Sequence, residues 1–274
     1  MQKFLKAFGY LLIIAGAISM IAPFLWMASV SFMNNEQIFR IPPRLIPNPI
    51  ILENYKNIFS QLPLTKFFLN SLFVASVTTF FQVLFSAMAG YAFARADFKY
   101  KDVLFFIFLL TMMVPPQVNI IPLFFVMREL NWVDTYQALI IPGLFGGFGV
   151  FLMRQWFRGL SYEIEDAAKI DGCNFFEIFF KIALPLAVPA VVTLGLFTFI
   201  TTWNSFMWPL IVTNSVDITT LPVALAQFKS SFREVVQWGD LTACSMILSV
   251  PVIIIFLLGK KYFINDILSG GIKE

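Results

Sequence analysis

The sequence predicts an all-α membrane protein with six transmembrane helices and both termini on the cytoplasmic side. Three observations carry that prediction. The chain is 59% hydrophobic and only 13% charged, with a mean hydropathy of +0.80, where soluble domains are roughly half apolar and a quarter charged. Six uncharged apolar runs, at about 8–31, 67–93, 103–127, 136–153, 184–213 and 241–259, are each at or near the length that crosses roughly 30 Å of hydrocarbon. Most of the 19 Lys and Arg residues fall at the amino end (Lys3, Lys6), between the second and third runs (Arg95, Lys99, Lys101), between the fourth and fifth (Arg154, Arg158, Lys169, Lys181) and in the tail (Lys260, Lys261, Lys273). The positive-inside rule places those segments in the cytoplasm. The unit 1–274 is expected to be a single transmembrane domain.

The first run follows Lys3 and Lys6 and contains Ala-Gly-Ala at 15–17, as a cleaved leader would, but it runs well past the usual apolar core of one and reads as a retained span. Trp26, Trp132, Trp156 and Trp238 fall near span ends, where interfacial aromatics belong. The third run contains MVPPQVNIIP at 113–122. There Pro115, Pro116 and Pro122 remove backbone donors and set Gln117 and Asn119 at membrane depth, a pattern tolerated where backbone is buried in protein or lines a wet cavity. In the fourth run, Gly143 and Gly147 form a GxxxG pair that allows close helix packing. The fifth is too long for one straight span and is interrupted by Thr201, Thr202, Asn204 and Ser205, so it is expected to bend or to line an aqueous path.

Several function classes fall on composition. The chain has no histidine, which removes His-dependent triads, HExxH zinc sites and ordinary haem ligation. Cys173 and Cys244 are far apart with no CxxC spacing, so they read as packing residues. A net charge of +3, spread along the chain, gives no case for nucleic acid. No run contains Asp, Glu, Lys or Arg. An ion-driven carrier usually keeps such groups within its helices, where each costs about 2.5–3.5 kcal/mol to insert. There is also no GxxxxGK[ST] phosphate loop, so the chain is not expected to hydrolyse ATP itself.

One polar stretch stands apart from this background: EDAAKIDGCNFFEIFFKIALPLAVP, residues 165–189. Ser161 can cap a helix whose first turns hold Glu163, Glu165 and Asp166, the charge favoured at a helix N-terminus. Ile164, Ala167 and Ala168 are expected to share a face, at spacings of three and four. Gly172 suits a left-handed C-terminal cap, and Asn174 with Glu177 reads as a second N-cap with its reciprocal carboxylate. Phe175, Phe176, Phe179 and Phe180 flank the second helix, and Pro185 is expected to mark its end and the start of the next span. The expectation is a helix, a bend and a helix over 161–183. Resting on lipid headgroups would explain the phenylalanines but not the acidic half.

Asp166-Ala167-Ala168, Asp171-Gly172, Ile182 and Leu184-Pro185 stand at the spacing of the EAA loop (EAA, three residues, G, nine residues, I-x-LP). Here the sequence resembles the permease subunits of bacterial ATP-binding-cassette importers. WNSFMWPLIV, TTLPVAL and the ending KKYFINDILSGGIKE resemble the carbohydrate branch, specifically the shorter, second permease of maltose-type systems. Two departures stand out: Asp166 replaces the usual Glu and Cys173 a common Ala, so a salt bridge carried over to Asp166 could fall to Glu165 instead.

The resemblance implies a multi-pass protein of the bacterial cytoplasmic membrane, in contact with lipid and without catalysis or cofactor of its own. It implies a second homologous permease that completes the translocation path, an extracytoplasmic sugar-binding protein, and two ATPase subunits that hold the ATP and Mg and receive the 161–183 loops. Glu165, Asp166, Ala167, Ala168, Asp171, Gly172, Ile182, Leu184 and Pro185 are then the coupling residues. The segment 214–240 would dock the binding protein, and the tail after Lys261 would also touch an ATPase subunit. Gln117, Asn119, Trp203 and Asn204 have the neutral hydrogen-bonding and aromatic chemistry that a sugar requires, Trp208 being equally at home in the aromatic belt. The alternatives are an ion-coupled secondary carrier, an intramembrane enzyme, or a permease of the same class for a non-sugar solute.

Overall fold

The computed structural model describes residues 2–231 and 237–270, and among them every regular element is helical. In chain order these are α1 (Gln2–Val30), α2 (Asn35–Ile38), α3 (Glu53–Gln61), α4 (Leu64–Arg95), α5 (Lys101–Thr111), α6 (Ile120–Glu129), α7 (Tyr136–Ile140), α8 (Gly147–Gly159), α9 (Tyr162–Ile170), α10 (Phe175–Ile178), α11 (Leu184–Leu186), α12 (Val188–Trp203), α13 (Met207–Val212), α14 (Leu221–Ser231) and α15 (Trp238–Gly270). Four stretches are long and apolar enough to cross a membrane: Phe8–Val30, Leu64–Arg95, Tyr136–Gly159 and Trp238–Lys261. Two bent pairs, Lys101–Thr111 with Pro116–Glu129 and Phe175–Leu186 with Val188–Trp203, bring the number to six if each pair is one span.

The bends refine the sequence boundaries. The third run, expected as one span over 103–127, turns by 88° after α5 ends at Thr111, where Pro115 and Pro116 offer no amide to continue the helix and a 3-10 turn over Pro116–Asn119 carries the chain into α6. The fourth helix does not stop at 153 but continues to Gly159, taking Arg154 with it. Arg154 is tolerated because it pairs with Asp102 at 3.0 Å, donates to the Phe93 carbonyl and lies 3.8 Å over the Phe105 ring. The fifth run, expected over 184–213, divides: α12 ends at Trp203, and α13 is a separate short helix. Pro185 does not end the preceding helix, which runs through it. A π turn over Phe179–Ala183 rearranges the carbonyls just before the proline, and the chain bends by 76° after Leu186 instead. Pro189 then sits in the first turn of α12, where no amide donor is needed.

The chain forms two compact units, one from residues 1–66 and 221–251, the other from 67–220 and 252–274. In the first, buried Asn54 donates to the carbonyls of Ser31 and Met33, both at 2.9 Å. Gly239 lies so close that a Cβ there would stand 2.4 Å from the Asn54 amide nitrogen, so the contact excludes any side chain. In the second unit, Ala87, Tyr91 and Ala94 of α4 pack with Met153 and Phe157 of α8, Ala168 of α9, and Ala190 and Leu194 of α12. Small residues bring these helices together: a Cβ on Gly90 would meet the Met153 Cβ at 2.6 Å, and one on Gly149 would meet the Ser86 Oγ at 2.3 Å. The GxxxG pair faces two different elements, Gly143 against Thr78 of α4 and Gly147 against Phe108 and Met112 at the end of α5.

Candidate functional site: a helical loop and a neutral cavity

The polar stretch folds as a helix, a bend and a helix whose caps are all local. The Ser161 hydroxyl accepts from the Glu163 amide at 3.2 Å. At the other end of α9, Cys173 N donates to Ala168 O at 2.9 Å and Gly172 N to Lys169 O at 3.0 Å. Gly172 has φ +87°, the left-handed conformation this closure needs and that favours glycine. Asn174 and Glu177 then form the reciprocal capping box, with bonds of 3.0 and 2.9 Å. Phe175 and Phe179 lie with their ring centroids 4.9 and 5.2 Å from that of Tyr91, which seats this second helix on α4.

The faces of α9 differ from the expectation that Ile164, Ala167 and Ala168 lie together. Its inner face is Glu165 and Ala168, both buried, while Ile164, Asp166, Ala167 and Ile170 are exposed. The reason is a charge: Glu165 Oε1 stands 2.8 Å from Nε of Arg95, with the two side chains 7% and 2% exposed. The pair is a charge contact rather than an aligned hydrogen bond, since neither atom has a hydrogen-bond partner of good geometry. The same guanidinium donates from Nη2 to the Leu160 carbonyl at 2.6 Å and lies 4.0 Å over the Tyr162 ring. Asp166, one residue on, faces outward and pairs with Lys169 at 2.9 Å, holding that ammonium above its usual range through the hydrogen bond and then the charge. Asp171 and Gly172 are exposed, Ile182 and Leu184 pack against the core around Tyr91, and Pro185 is exposed.

A second feature in this unit is a cavity of about 440 Å³, lined among others by Thr78 of α4, Gln117, Thr201, Thr202, Ser205 and Trp208, with no ionisable residue in its wall. The Thr78 hydroxyl is buried without a hydrogen-bond partner among the described residues. Trp208 is oriented by donating from Nε1 to the Ala138 carbonyl at 2.9 Å. Of the sequence candidates, Gln117 lines this cavity and Asn119 is exposed outside its lining. Asn204 turns back to donate to Ile200 O at 2.9 Å. Trp203 is 1% exposed, stacked on Phe199 and edge-on to Phe68. Of the hydroxyl side chains here, Thr201, Thr202 and Ser205 belong to the interruption at 201–205 that the sequence signals, whereas Thr78 is more than a hundred positions away and carries no such signal.

The loop after α13 is also pinned. Asp134 accepts from the amides of Asn214 and Ser215 at 2.8 and 2.9 Å and from the Ser215 hydroxyl. Desolvation pushes its carboxyl up, but these donors together outweigh it and hold the group below the usual carboxylate range. Asn70 donates to the carbonyls of Asp217 and Thr219 and accepts from the Tyr136 hydroxyl. The segment 214–240 is thus fixed at its start, while 232–236 within it, and 271–274 of the tail, lie outside the described residues.

Comparison with known proteins gives this geometry a context. Residues 82–264 match the family described as binding-protein-dependent transport system inner membrane component. The chain is 37% identical over 254 residues to an arabinooligosaccharides transport system permease protein, AraQ, of Halalkalibacterium halodurans, covering 92% of this chain and 90% of that one. It is 34% identical over 272 residues to a trehalose/maltose transport system permease protein, MalG, of Thermococcus litoralis, covering 96% of each. Its fold matches a chain from the crystal structure of a bacterial ABC transporter involved in the import of the acidic polysaccharide alginate, with a TM-score of 0.86 over 95% of this chain and 97% of that one, at 23% identity. With residues 82–264 matched by the family model and two relatives above 30% identity matched over nearly their whole length, the chain belongs to the family of binding-protein-dependent transport system inner membrane components.

Proposed function

We propose that this chain is a membrane-spanning permease subunit of an ATP-driven sugar importer, forming the translocation path with a second homologous permease. Both termini lie in the cytoplasm, and 1–274 acts as one permease domain. An extracytoplasmic binding protein delivers the solute, and two cytoplasmic ATPase subunits, which hold the ATP and Mg, engage the loop over 161–183.

The observation that carries this reading is the uncovered outer surface of α9 and α10. Ile170, Phe176 and Tyr162 are 88%, 64% and 60% exposed beside Asp166, on a loop whose other side is locked by caps and a buried ion pair. A rigid polar-apolar ridge of this kind suits insertion into a protein cleft, and the relatives with named solutes are transport permeases. An uncharged wall that is largely apolar, with Leu123, Leu139 and Phe206, but carries one carboxamide and several hydroxyl side chains suits a neutral solute with both apolar and hydroxyl faces, for which each unpaired polar group in a dry site costs about 1–3 kcal/mol. Arabinooligosaccharides and trehalose or maltose, the solutes in the names of two relatives, fit that chemistry.

The test is uptake of labelled oligosaccharides by proteoliposomes holding this chain, its partner permease, the ATPase and the binding protein. Uptake is expected to require all four components and ATP, and to be lost with detachment of the ATPase in Gly172→Asp, because any side chain at φ +87° strains the bend. Uptake by this chain alone, driven by an ion gradient, overturns the reading.

A further inference from the structure

The Arg95 guanidinium gathers three contacts from one short segment: the Leu160 carbonyl, the Tyr162 ring and the Glu165 carboxylate. Arg95 is the last residue of α4, and the segment it holds is the entrance to α9. Both charges are almost fully buried, in a setting that includes the apolar core around Tyr91. Apolar residues of similar size would hold two helices together at least as well as a buried ion pair does. What the pair supplies is a defined attachment point, with a geometry that packing alone does not fix.

Two further observations give that attachment a direction. Glu165 faces inward while Asp166, Ile164, Ala167 and Ile170 face out, so the residue joined to α4 is not among those left for a partner. The helix that ends in Arg95 also carries Thr78, which lines the neutral cavity, roughly 25 Å away at the α-helical rise. We propose that the Arg95–Glu165 pair is the joint through which displacement of α9 is passed to α4, and so to the cavity wall at Thr78. Arg95 and Glu165 are positioning residues: neither touches solute, and the pair keeps the coupling helix and the second span moving as one body. Arg95 Nη1 has no hydrogen-bond partner in this arrangement. The inference rests on the reading of 161–183 as the ATPase-engaging loop.

The experiment uses the complete transporter in proteoliposomes and reads solute transported per ATP hydrolysed. Glu165→Gln, which keeps the side-chain size and removes the charge, is expected to lower that ratio about tenfold with the ATPase subunits still attached. The exchange Arg95→Glu with Glu165→Arg is expected to recover most of it. An unchanged ratio in Glu165→Gln, release of the ATPase by that variant, or no recovery in the exchange overturns the proposal. Should Glu165→Gln fail to reach the membrane, Arg95→Cys and Glu165→Cys in a chain lacking Cys173 and Cys244 are joined by a short bis-maleimide. The linked transporter is expected to work as well as the unlinked one, and inhibition by the link overturns the joint. Failure of the underlying reading is separate: there, Gly172→Asp leaves the ATPase attached whatever the ratio in Glu165→Gln.

Discussion

Asp134 shows how much a single half-buried acceptor can organise. Its carboxylate receives two amides and a hydroxyl from Asn214 and Ser215, which hold its folded-state pKa below the ordinary carboxylate value. Its contribution to stability is therefore fully present above the ordinary carboxylate range and is lost as pH falls through the depressed folded value. Asp134→Ala is expected to lower the thermal midpoint of the detergent-solubilised protein at neutral pH, and the difference from wild type is expected to shrink on acidification. A constant difference down to acid pH contradicts the assignment. Gly90 is a second single-residue constraint. Its missing Cβ would stand 2.6 Å from Met153 Cβ and 2.8 Å from the Arg154 backbone nitrogen, so Gly90→Val is expected to destabilise by about 1–3 kcal/mol in the same melt. Residue-level features were legible in the sequence where donor and acceptor are neighbours: Ser161, Gly172 and the Asn174–Glu177 box all form as their spacing implies. The Arg95–Glu165 pair was not, because its partners are 70 positions apart and charge counting records Arg95 only as a cytoplasmic loop cation.

At the scale of elements, the interruptions are legible in the sequence, but the path of the chain beyond each one is not. Pro115 and Pro116 lie in the break after α5, within a run expected as one span, whereas Pro185 is carried inside a helix because a π turn precedes it and the bend moves to Ala187. The helix of the fourth run continues six residues past 153, since hydropathy stops at Arg154 and cannot see Asp102 and Phe105 pairing with it. The face of α9 was misjudged for the same reason: periodicity favoured the alanines, and a buried carboxylate decided otherwise. Loss of the box in Asn174→Ala is expected to cost about 1 kcal/mol in helix stability and to reduce uptake, checked by transport at constant membrane abundance. The end of α12 and the turn after it place Thr201, Thr202 and Ser205 in the cavity. Thr202→Val with Ser205→Ala is expected to weaken uptake several-fold while the ATPase remains attached; wild-type uptake from that pair removes the cavity from the path.

For the whole molecule, the pattern is one of surfaces that this chain leaves uncovered. The side chains of α1 from Leu11 to Ile14 are all more than half exposed, as suits a helix that meets lipid or the second permease, and the outer ridge of α9 and α10 is bare. Length, hydropathy and charge were enough to read a six-run membrane protein, and the loop spacing to read its family. Which helices touch was not recoverable, because the glycines and small polar residues at 86, 90, 143 and 149 carry no signal for the helix they approach. The coupling role of the loop depends on which molecule covers the ridge. The most direct measurement is photo-crosslinking in the assembled transporter from a benzophenone side chain placed at Ile170, which is 88% exposed, with the buried Ala168 as control. An adduct with the ATPase subunit from position 170 and none from 168 is the expected result. Adducts from 170 only with lipid or with the second permease contradict the coupling role of this loop.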